Sequence, residues 1–184
     1  TNIYLSKNKN IFLTEIDYSN YKEIKKKFSK NLNIKITNNL TKDIKGIYDT
    51  ILYLSVLEHI RNDKKEINLA IQKLKKNGHL VICVPAHNSM YSNFDREIGH
   101  FKRYEIDFFK CLNIKNANLE KVYYIDSCGY LLYFFNKLFF KKEVYPTRFK
   151  VFIWDKIFVP ITYIIDFFSL YRLGKNIVCI IKKK

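Results

Sequence analysis

Residues that break or bend a chain are scarce in this sequence, which has five glycines and three prolines in 184 residues. This scarcity excludes collagen-like and proline-rich sequences, which need both residues in abundance. Long apolar runs are also absent, and no run reaches the ~20 residues that a transmembrane helix requires. The best candidate, residues 151–171, contains Asp155, Lys156 and Asp166. We therefore interpret this segment as amphipathic.

Cysteine is sparse as well, and its spacing is uninformative for metal binding. Cys83, Cys111, Cys128 and Cys179 form no CxxC pair and stand at no metal-ligand spacing from a histidine. Dispersed cysteines in apolar surroundings are typical of reduced core thiols in a cytosolic protein. The sequence thus predicts a cytoplasmic protein, with peripheral membrane contact left open, and it signals no metal site.

Acidic residues are few, at 17 against 33 lysines and arginines, and the net charge is +16. Such charge suits a nucleic acid or an anionic membrane surface. Lysine, asparagine and isoleucine are all abundant, however, as in AT-rich genomes, so codon composition accounts for much of the charge and a nucleic-acid role is not favoured. Hydrophobic residues make up 48% of the chain, enough for a real core. We expect a single domain over residues 1–184.

Strand and helix patterns alternate through the first half of the chain. Apolar segments favour β-strands at residues 10–15, 33–37, 48–57 and 79–86, the third being covered on both faces. The first helix places Tyr21, Ile24 and Phe28 on one face. The second is expected to begin at a capping Asp63 with Glu66 as capping-box partner, to bury Ile67, Ala70, Ile71 and Leu74, and to end at Asn77-Gly78. This alternation predicts βαβ units and a parallel sheet, whose ligands lie beyond the carboxyl ends of the strands.

The rest of the chain is predicted to hold a helix, a strand, aromatic helices and a last strand. Ile106, Phe109 and Leu112 face inward on the first helix. Residues 120–172 form an aromatic-rich segment with two open interpretations: a core-forming cap, or an interfacial surface for an anionic membrane. The helical face in question consists of Trp154, Ile157, Phe158, Ile161, Ile164, Ile165 and Phe168. The lysines near it are Lys137, Lys141, Lys142, Lys150 and Lys156.

Several stretches resemble class I S-adenosylmethionine-dependent methyltransferases. The segment "YDTILYLSVLEHIRNDKKEINLAIQKLKKNGHLVICVPA" is similar to the second half of that family's core. The stretch "DREIGHFKRY" is similar to the "D…GH.RRY" loop of a bacterial subgroup linked to cell-surface or glycan biosynthesis, and "GKNIVCIIKKK" is similar to its final strand. The resemblance implies a Rossmann-like α/β sheet with an aromatic-rich helical C-terminal cap. The cofactor-binding core would span residues 1–110, the cap 120–172 and the closing strand 175–183.

One element of the family is missing from the sequence, namely the Gly-rich loop that follows the first strand. The segment "TNIYLSKN" looks like the helix that normally comes after this loop. We therefore expect the chain to be a fragment whose Gly-rich loop lies upstream of Thr1.

The resemblance assigns cofactor contacts to the ends of the strands. An acid after the second family strand accepts hydrogen bonds from the ribose hydroxyls. Helix phase favours Glu15 over Asp17 for this role, with Ile16 beside it, and makes Asp17 a helix cap. The alternative is that Glu15 is an exposed acid at a strand end.

Further cofactor contacts are implied after the next two strands. Asn39 stands where the family usually has an acid that binds the adenine amino group, and Leu40 stands where an apolar residue packs on the ring. The backbone at Ser55 would line the cofactor. Glu58 and His59 of "LEHI" are interpreted as residues that hold the turn after the strand in place, in preference to a chemical role.

The loop "VPAHNSMYSNFDREIGHFKRY", residues 84–104, follows the fourth strand and is expected at the ligand edge of the sheet. His100 is a candidate base for methyl transfer to oxygen. Arg103 could clamp a carboxylate or phosphate, and Tyr104 could donate a hydrogen bond or stack. The alternative is structural: Asp95 and Arg103 form an internal ion pair, and His100 is a hydrogen-bonded hinge. His87 is a further candidate.

The resemblance implies transfer of a methyl group from S-adenosylmethionine to oxygen on a glycan, a lipid-linked intermediate or a small metabolite. A second hypothesis is a non-catalytic methyltransferase-like module that binds a membrane surface or nucleic acid.

Overall fold

A computed structural model of the chain describes residues 10–139 and 147–184. Thr1–Asn8, Lys141 and Lys142, on which expectations were placed above, lie outside the described residues, and so do the side chains of Lys137 and Lys150. The chain divides into two compact units, Thr1–Gly46 and Ile47–Lys184.

The first unit is built on two parallel strands with a helix between them. Its elements are β1 (Ile11–Thr14), α1 (Tyr18–Lys27) and β2 (Ile34–Thr37). Ile11 lies opposite Ile34, and this register continues to the ends of both strands. The Asp17 side chain accepts a hydrogen bond from the Asn20 amide at 2.8 Å and caps α1. The predicted strands, helix and cap are therefore confirmed.

The second unit carries a four-stranded sheet in the order β3-β4-β6-β5. Its elements are β3 (Tyr48–Leu54), α2 (Asp63–Gln72), β4 (Leu74–Pro85), α3 (Asn93–Glu97), α4 (Ile106–Lys110), β5 (Ala117–Ile125), α5 (Ser127–Phe139), α6 (Arg148–Ile153), a π-helical turn (Trp154–Phe158), α7 (Val159–Phe168) and β6 (Asn176–Lys183). Strands β3 and β4 are parallel, but β6 runs antiparallel to both β4 and β5. The sheet is thus mixed, where a parallel sheet was expected.

The core of the second unit lies between α2 and the central strands. Alternate residues of β4 and β6 are fully buried, as their period of two requires: Leu80, Ile82, Val84, Ile177, Cys179 and Ile181. Of the predicted helix stripe, Ile67, Ala70 and Ile71 are buried on α2 as expected; Leu74 is also buried, but it begins β4 and does not lie on the helix. On α4, Phe109 is fully buried and Ile106 packs against the same cluster, as does Leu112 just after the helix ends.

The predicted boundaries of the second helix are wrong at both ends. Asn62, not Asp63, caps α2, and Asp63 is its first residue. The helix ends at Gln72, and Asn77-Gly78 forms an irregularity within β4. Asn77 has a φ of +61°, and a Cβ on Gly78 would lie 2.8 Å from the carbonyl oxygen of Asp49. The glycine therefore permits close approach of two strands and does not terminate a helix.

One face of strand β3 is open to solvent, so the prediction that both of its faces are covered is wrong. Leu52 and Leu54 are exposed on it. The prediction that the cysteines are core thiols is also wrong for Cys111, which is exposed; Cys128 and Cys179 are buried.

The predicted C-terminal helix is present as α6, the π-helical turn and α7, but much of its apolar face is open. Trp154, Phe158 and Ile165 are half-buried. The exposed apolar residues of α7 and the preceding turn are Ile157, Ile161, Tyr163, Ile164, Phe167 and Phe168. Within the described ranges, no helix combines the length and the hydropathy needed to cross a bilayer.

Candidate functional site

Two connections in the second unit leave the sheet at the same edge. Strand β3 ends at Leu54 and is followed by Ser55, which has a φ of +54°, and by a 3-10 turn over Leu57–His59. Strand β4 ends at Pro85, and the long loop begins there. Because β3 and β4 are parallel, both connections start at their carboxyl ends, which is where α/β sheets bind ligands.

The long loop is organised around the carboxylate of Asp95. Ser92 and Asp95 form a capping box at the start of α3. Arg103 donates from Nε and Nη2 to the Asp95 carboxylate at 2.9–3.1 Å, and Nδ1 of His100 lies 2.9 Å from Oδ1. Asp95 and Arg103 are both buried. We call these four residues the Asp95 network.

The electrostatics of this network follow from burial and from the bidentate pair. Burial by itself would raise the pKa of Asp95, but hydrogen bonds from Arg103, His100 and Ser92 outweigh it, and the pKa lies below its ordinary value. Burial lowers the pKa of His100, and the hydrogen bond to Asp95 does not restore it. The loop therefore holds an ionised aspartate beside an imidazole that favours its neutral form.

Tyr104 continues the loop into the core. Its hydroxyl lies 3.0 Å from Oδ2 of Asp63 and 3.1 Å from the carbonyl oxygen of Leu57, and the side chain is fully buried. Burial raises the pKa of Tyr104 above its ordinary value. The amide of Phe101 donates to the carbonyl oxygen of Glu58 at 2.9 Å. The loop is thus fastened to the 3-10 turn after β3 and to the start of α2.

Glu58, His59 and His100 meet where the loop and the turn touch; we call them the Glu58 cluster. The rings of His59 and His100 are 4.7 Å apart in an edge-to-face arrangement, and Nε2 of His100 lies 3.7 Å from Oε1 of Glu58. Glu58 is buried, and burial raises its pKa to about 7. Neither of its carboxylate oxygens has a hydrogen-bond partner among the described residues.

Sequence reasoning singled out His100 but did not group it with Glu58 and His59. A usable signal was present, because "LEH" and "GH" both follow parallel neighbouring strands and so reach the same edge. His87, a further candidate, is elsewhere: its Nε2 lies 3.0 Å from the carbonyl oxygen of Gly174, and its ring stacks on Tyr124.

The residues assigned to the nucleoside part of the cofactor lie in the first unit. Glu15 follows β1, where Oε1 accepts a hydrogen bond from the Asp17 amide at 3.0 Å. The amide of Asn39, beyond the end of β2, donates to Oγ1 of Thr37. Ile16 and Leu40 are exposed apolar side chains in the same connections. A carboxylate and exposed apolar side chains at one edge of a parallel pair of strands fit a ribose and an adenine ring. Their roles, and those of Ser55, Arg103 and Tyr104, stay predictions.

Neither a protein-family model nor a curated protein sequence matches the chain. Solved structures do match it. Coclaurine N-methyltransferase, bound to N-methylheliamine and S-adenosylhomocysteine, is 12% identical with a TM-score of 0.63, over 98% of this chain and 63% of that one. The N-methyltransferase NodS from Bradyrhizobium japonicum WM9, in complex with S-adenosyl-L-homocysteine, is 8% identical with a TM-score of 0.51, over 94% and 65%.

An O-methyltransferase structure matches the chain with the same TM-score as NodS. The O-MT of StiE is 12% identical with a TM-score of 0.51, over 94% of this chain and 58% of that one. The chain therefore spans about three fifths of the length of these structures. At these identities the likeness concerns the fold, and the fold is the Rossmann-like class I methyltransferase fold that the sequence predicted.

Proposed function

We propose that this chain binds S-adenosylmethionine and belongs to a methyltransferase. The observation that carries the proposal is the likeness of nearly the whole chain to methyltransferase structures, two of which hold S-adenosylhomocysteine, the product left when S-adenosylmethionine gives up its methyl group. A buried group of titratable side chains adds support, because Glu58, Asp95 and Arg103 lie in the connections that leave the carboxyl ends of β3 and β4, where this fold class binds ligands.

The proposed cofactor contacts are those implied by the strand ends. Glu15 would accept hydrogen bonds from the ribose hydroxyls, and Asn39 would bind the adenine amino group. Ile16 and Leu40 are both exposed, and packing against the adenine ring would remove their apolar surface from water. The backbone at Ser55 would contribute in the second unit.

The proposed reaction is an in-line displacement. The bond between the methyl carbon and the sulfonium sulfur breaks as a bond from an acceptor oxygen forms, and the acceptor proton goes to a base. Holding both reactants in line replaces a bimolecular encounter and supplies much of the rate. In the metal-free protein the base would be Nε2 of His100, because Nδ1 donates its proton to Asp95 and leaves the lone pair on Nε2.

Arg103 and Tyr104 have a different part in this proposal. Both side chains are buried, and Arg103 donates bidentate hydrogen bonds to Asp95. The arrangement favours positioning of His100 over direct contact with the acceptor. Tyr104 would hold the loop against α2 through Asp63.

Binding of S-adenosylhomocysteine, measured by isothermal titration calorimetry on the full chain, tests the proposal. We expect saturable heat, and we expect Glu15→Ala to weaken binding by at least tenfold, since both hydroxyls of the ribose lose their acceptor. Glu23→Ala is the matched control, because Glu23 is an exposed acid on α1 and should leave affinity unchanged. Absence of heat at millimolar ligand from the folded protein would contradict the proposal.

The methyl acceptor is proposed to be an oxygen on a glycan, a lipid-linked intermediate or a small metabolite, in keeping with the resemblance of "DREIGHFKRY" to the loop of a bacterial subgroup. One observation favours a lipid-linked acceptor. The open face of α7 presents Ile164, Phe167 and Phe168 to solvent, each at least 60% exposed. An exposed apolar face on a chain of net charge +16 suits an anionic membrane surface.

Sedimentation with vesicles of anionic and of zwitterionic lipid tests this membrane contact. We expect binding to anionic vesicles at physiological salt, and we expect the double variant Phe167→Ser/Phe168→Ser to reduce it clearly. Leu32→Ser is the control, since Leu32 is a fully exposed apolar residue of the first unit. Protein that stays in the supernatant with both kinds of vesicle would leave a soluble metabolite as the favoured acceptor.

A further inference from the structure

We propose that the Glu58 cluster is a binding site for one divalent transition-metal ion. Glu58, His59 and His100 each offer one ligand atom, and these atoms all lie within 4.8 Å of one another. Two imidazoles and one carboxylate form a ligand set that suits zinc or ferrous iron and leaves coordination positions open to another molecule. The proposal replaces the expectation, drawn from cysteine spacing, that the chain holds no metal.

The distances are close to those of a metal site. With bonds of about 2.1 Å, the ligand atoms of a tetrahedral zinc site lie about 3.4 Å apart. Oε1 of Glu58 and Nε2 of His100 are already 3.7 Å apart. Modest side-chain rotations would bring the group to bonding distance, and they are available because the side chain of His59 is exposed.

Glu58 supplies an independent reason to expect a cation. The residue is only 1% exposed, and both carboxylate oxygens lack a hydrogen-bond partner among the described residues. Burial of a carboxylate without partners is costly, and native structures rarely leave such a group without water or an ion. A divalent ion would offset that cost directly.

The hydrogen bonds of the two histidines leave one ring nitrogen of each available as a ligand. Nδ1 of His100 lies 2.9 Å from the Asp95 carboxylate, and Nδ1 of His59 lies 3.2 Å from the carbonyl oxygen of Gly99. Both partners are acceptors, so each Nδ1 carries the proton and each Nε2 keeps its lone pair. Histidines that bind metals almost always donate their other ring N–H to a carboxylate or a backbone carbonyl in this way.

A metal ion bound by the Glu58 cluster would take part in the proposed reaction. This chemical role rests on the proposed function, whereas metal binding itself does not. A divalent ion lowers the pKa of a hydroxyl group that it contacts. An acceptor hydroxyl would then lose its proton more readily, and His100 would act as a ligand instead of a base. The proton would pass to solvent on the exposed side of His59.

Titration of the metal-free full chain with Co²⁺ tests the site, because bound Co²⁺ reports its coordination through visible d–d absorption. We expect one equivalent to bind and Zn²⁺ to displace it. Glu58→Gln and His59→Ala should each weaken binding by at least tenfold, since loss even of an outer-shell partner costs about 10–100-fold. His79→Ala is the control, because His79 pairs with Glu120 outside the cluster and should bind Co²⁺ like the wild type.

Ring-nitrogen NMR spectra of the wild type give a second readout that needs no variant. Zn²⁺ should shift Nε2 of His59 and His100 and leave the rings of His79 and His87 unchanged. Lack of stoichiometric Co²⁺ binding by the folded wild type would overturn the proposal, and so would shifts confined to His79 or His87. S-adenosylhomocysteine is titrated separately into metal-free protein, so failure of the metal site and failure of the proposed function are distinguishable.

Discussion

The Asp95 network and the open face of α7 distribute polarity in opposite ways. In the first, a carboxylate and a guanidinium are buried; in the second, phenylalanine and isoleucine side chains face solvent. Burial of charge is costly unless the charge is paired, as it is between Asp95 and Arg103, whereas exposure of apolar groups costs little stability and leaves a surface ready for a partner. The comparison suggests that the network maintains the fold of the loop and that the α7 face serves an interaction.

Loss of Arg103 should be among the changes with the largest effect on stability. Arg103→Met leaves the buried Asp95 carboxylate without its bidentate partner, which should lower the free energy of unfolding by about 3–5 kcal/mol. Lys75→Met is the control, since the ion pair of Lys75 with Asp49 is largely exposed and should be worth less than about 1 kcal/mol. Urea denaturation followed by circular dichroism measures both. Similar losses in the two variants would show that burial does not set the strength of the Asp95 network.

Truncation of a phenylalanine to alanine, at one buried and at one exposed position, tests the part of the comparison that concerns apolar side chains. Phe109→Ala removes a fully buried ring and should cost about 3–5 kcal/mol. Phe168→Ala removes a ring that is 78% exposed and should change stability by no more than about 0.5 kcal/mol. The same denaturation assay applies. A large loss on Phe168→Ala would mean that the α7 face is covered and would remove the argument for a membrane contact.

A smaller effect is expected for an exposed aspartate with a capping role like that of Asp95. Asp17→Ala should lower the stability of α1 by about 1 kcal/mol, because the Asn20 amide loses its acceptor. Hydrogen exchange at that amide measures the loss, with Glu23→Ala as the variant that should leave exchange unchanged. Exchange equal to that of the wild type in Asp17→Ala would show that the cap contributes nothing at the surface.

Thiol labelling should leave the fold unchanged and report burial alone. Burial raises the pKa of Cys179 to about 12, so the thiolate that reacts is scarce near neutral pH. Cys111 is exposed and should react first with a disulfide reagent, with Cys179 labelled only after unfolding. Mass spectrometry of the labelled peptides gives the order. Early labelling of Cys179 would show that β6 opens in the native state.

The sequence predicted those parts of the fold that local patterns determine. The period of the apolar residues placed α1, α2, α4 and the strands, and the cap at Asp17 followed from its position before a helix. The antiparallel direction of β6 could not be predicted in this way, because alternation along a strand is the same whichever way the strand runs. The end of α2 was misplaced for a similar reason, since a Gly that terminates a helix and a Gly that permits close approach of strands look alike in sequence.

The same distinction between local patterns and long-range contacts applies to the candidate site. The "GHFKRY" motif drew attention to His100 and Arg103, and the topology placed their loop at the ligand edge. The grouping of His100 with Glu58 and His59 depends on contacts between residues about 40 positions apart, so only the strand topology, and no local pattern, indicates it. The exposure of the α7 face was equally out of reach, because an amphipathic pattern indicates that one face differs from the other and not which surface covers it.

The position of β6 in the sheet has a consequence for synthesis of the protein. This strand lies between β4 and β5, yet it follows both in the sequence, and β4 and β5 do not pair with each other. During translation the growing chain must therefore keep the inner edges of two apolar strands unpaired until β6 emerges from the ribosome. Because exposed strand edges promote aggregation, the nascent chain is open to edge-to-edge association during this interval.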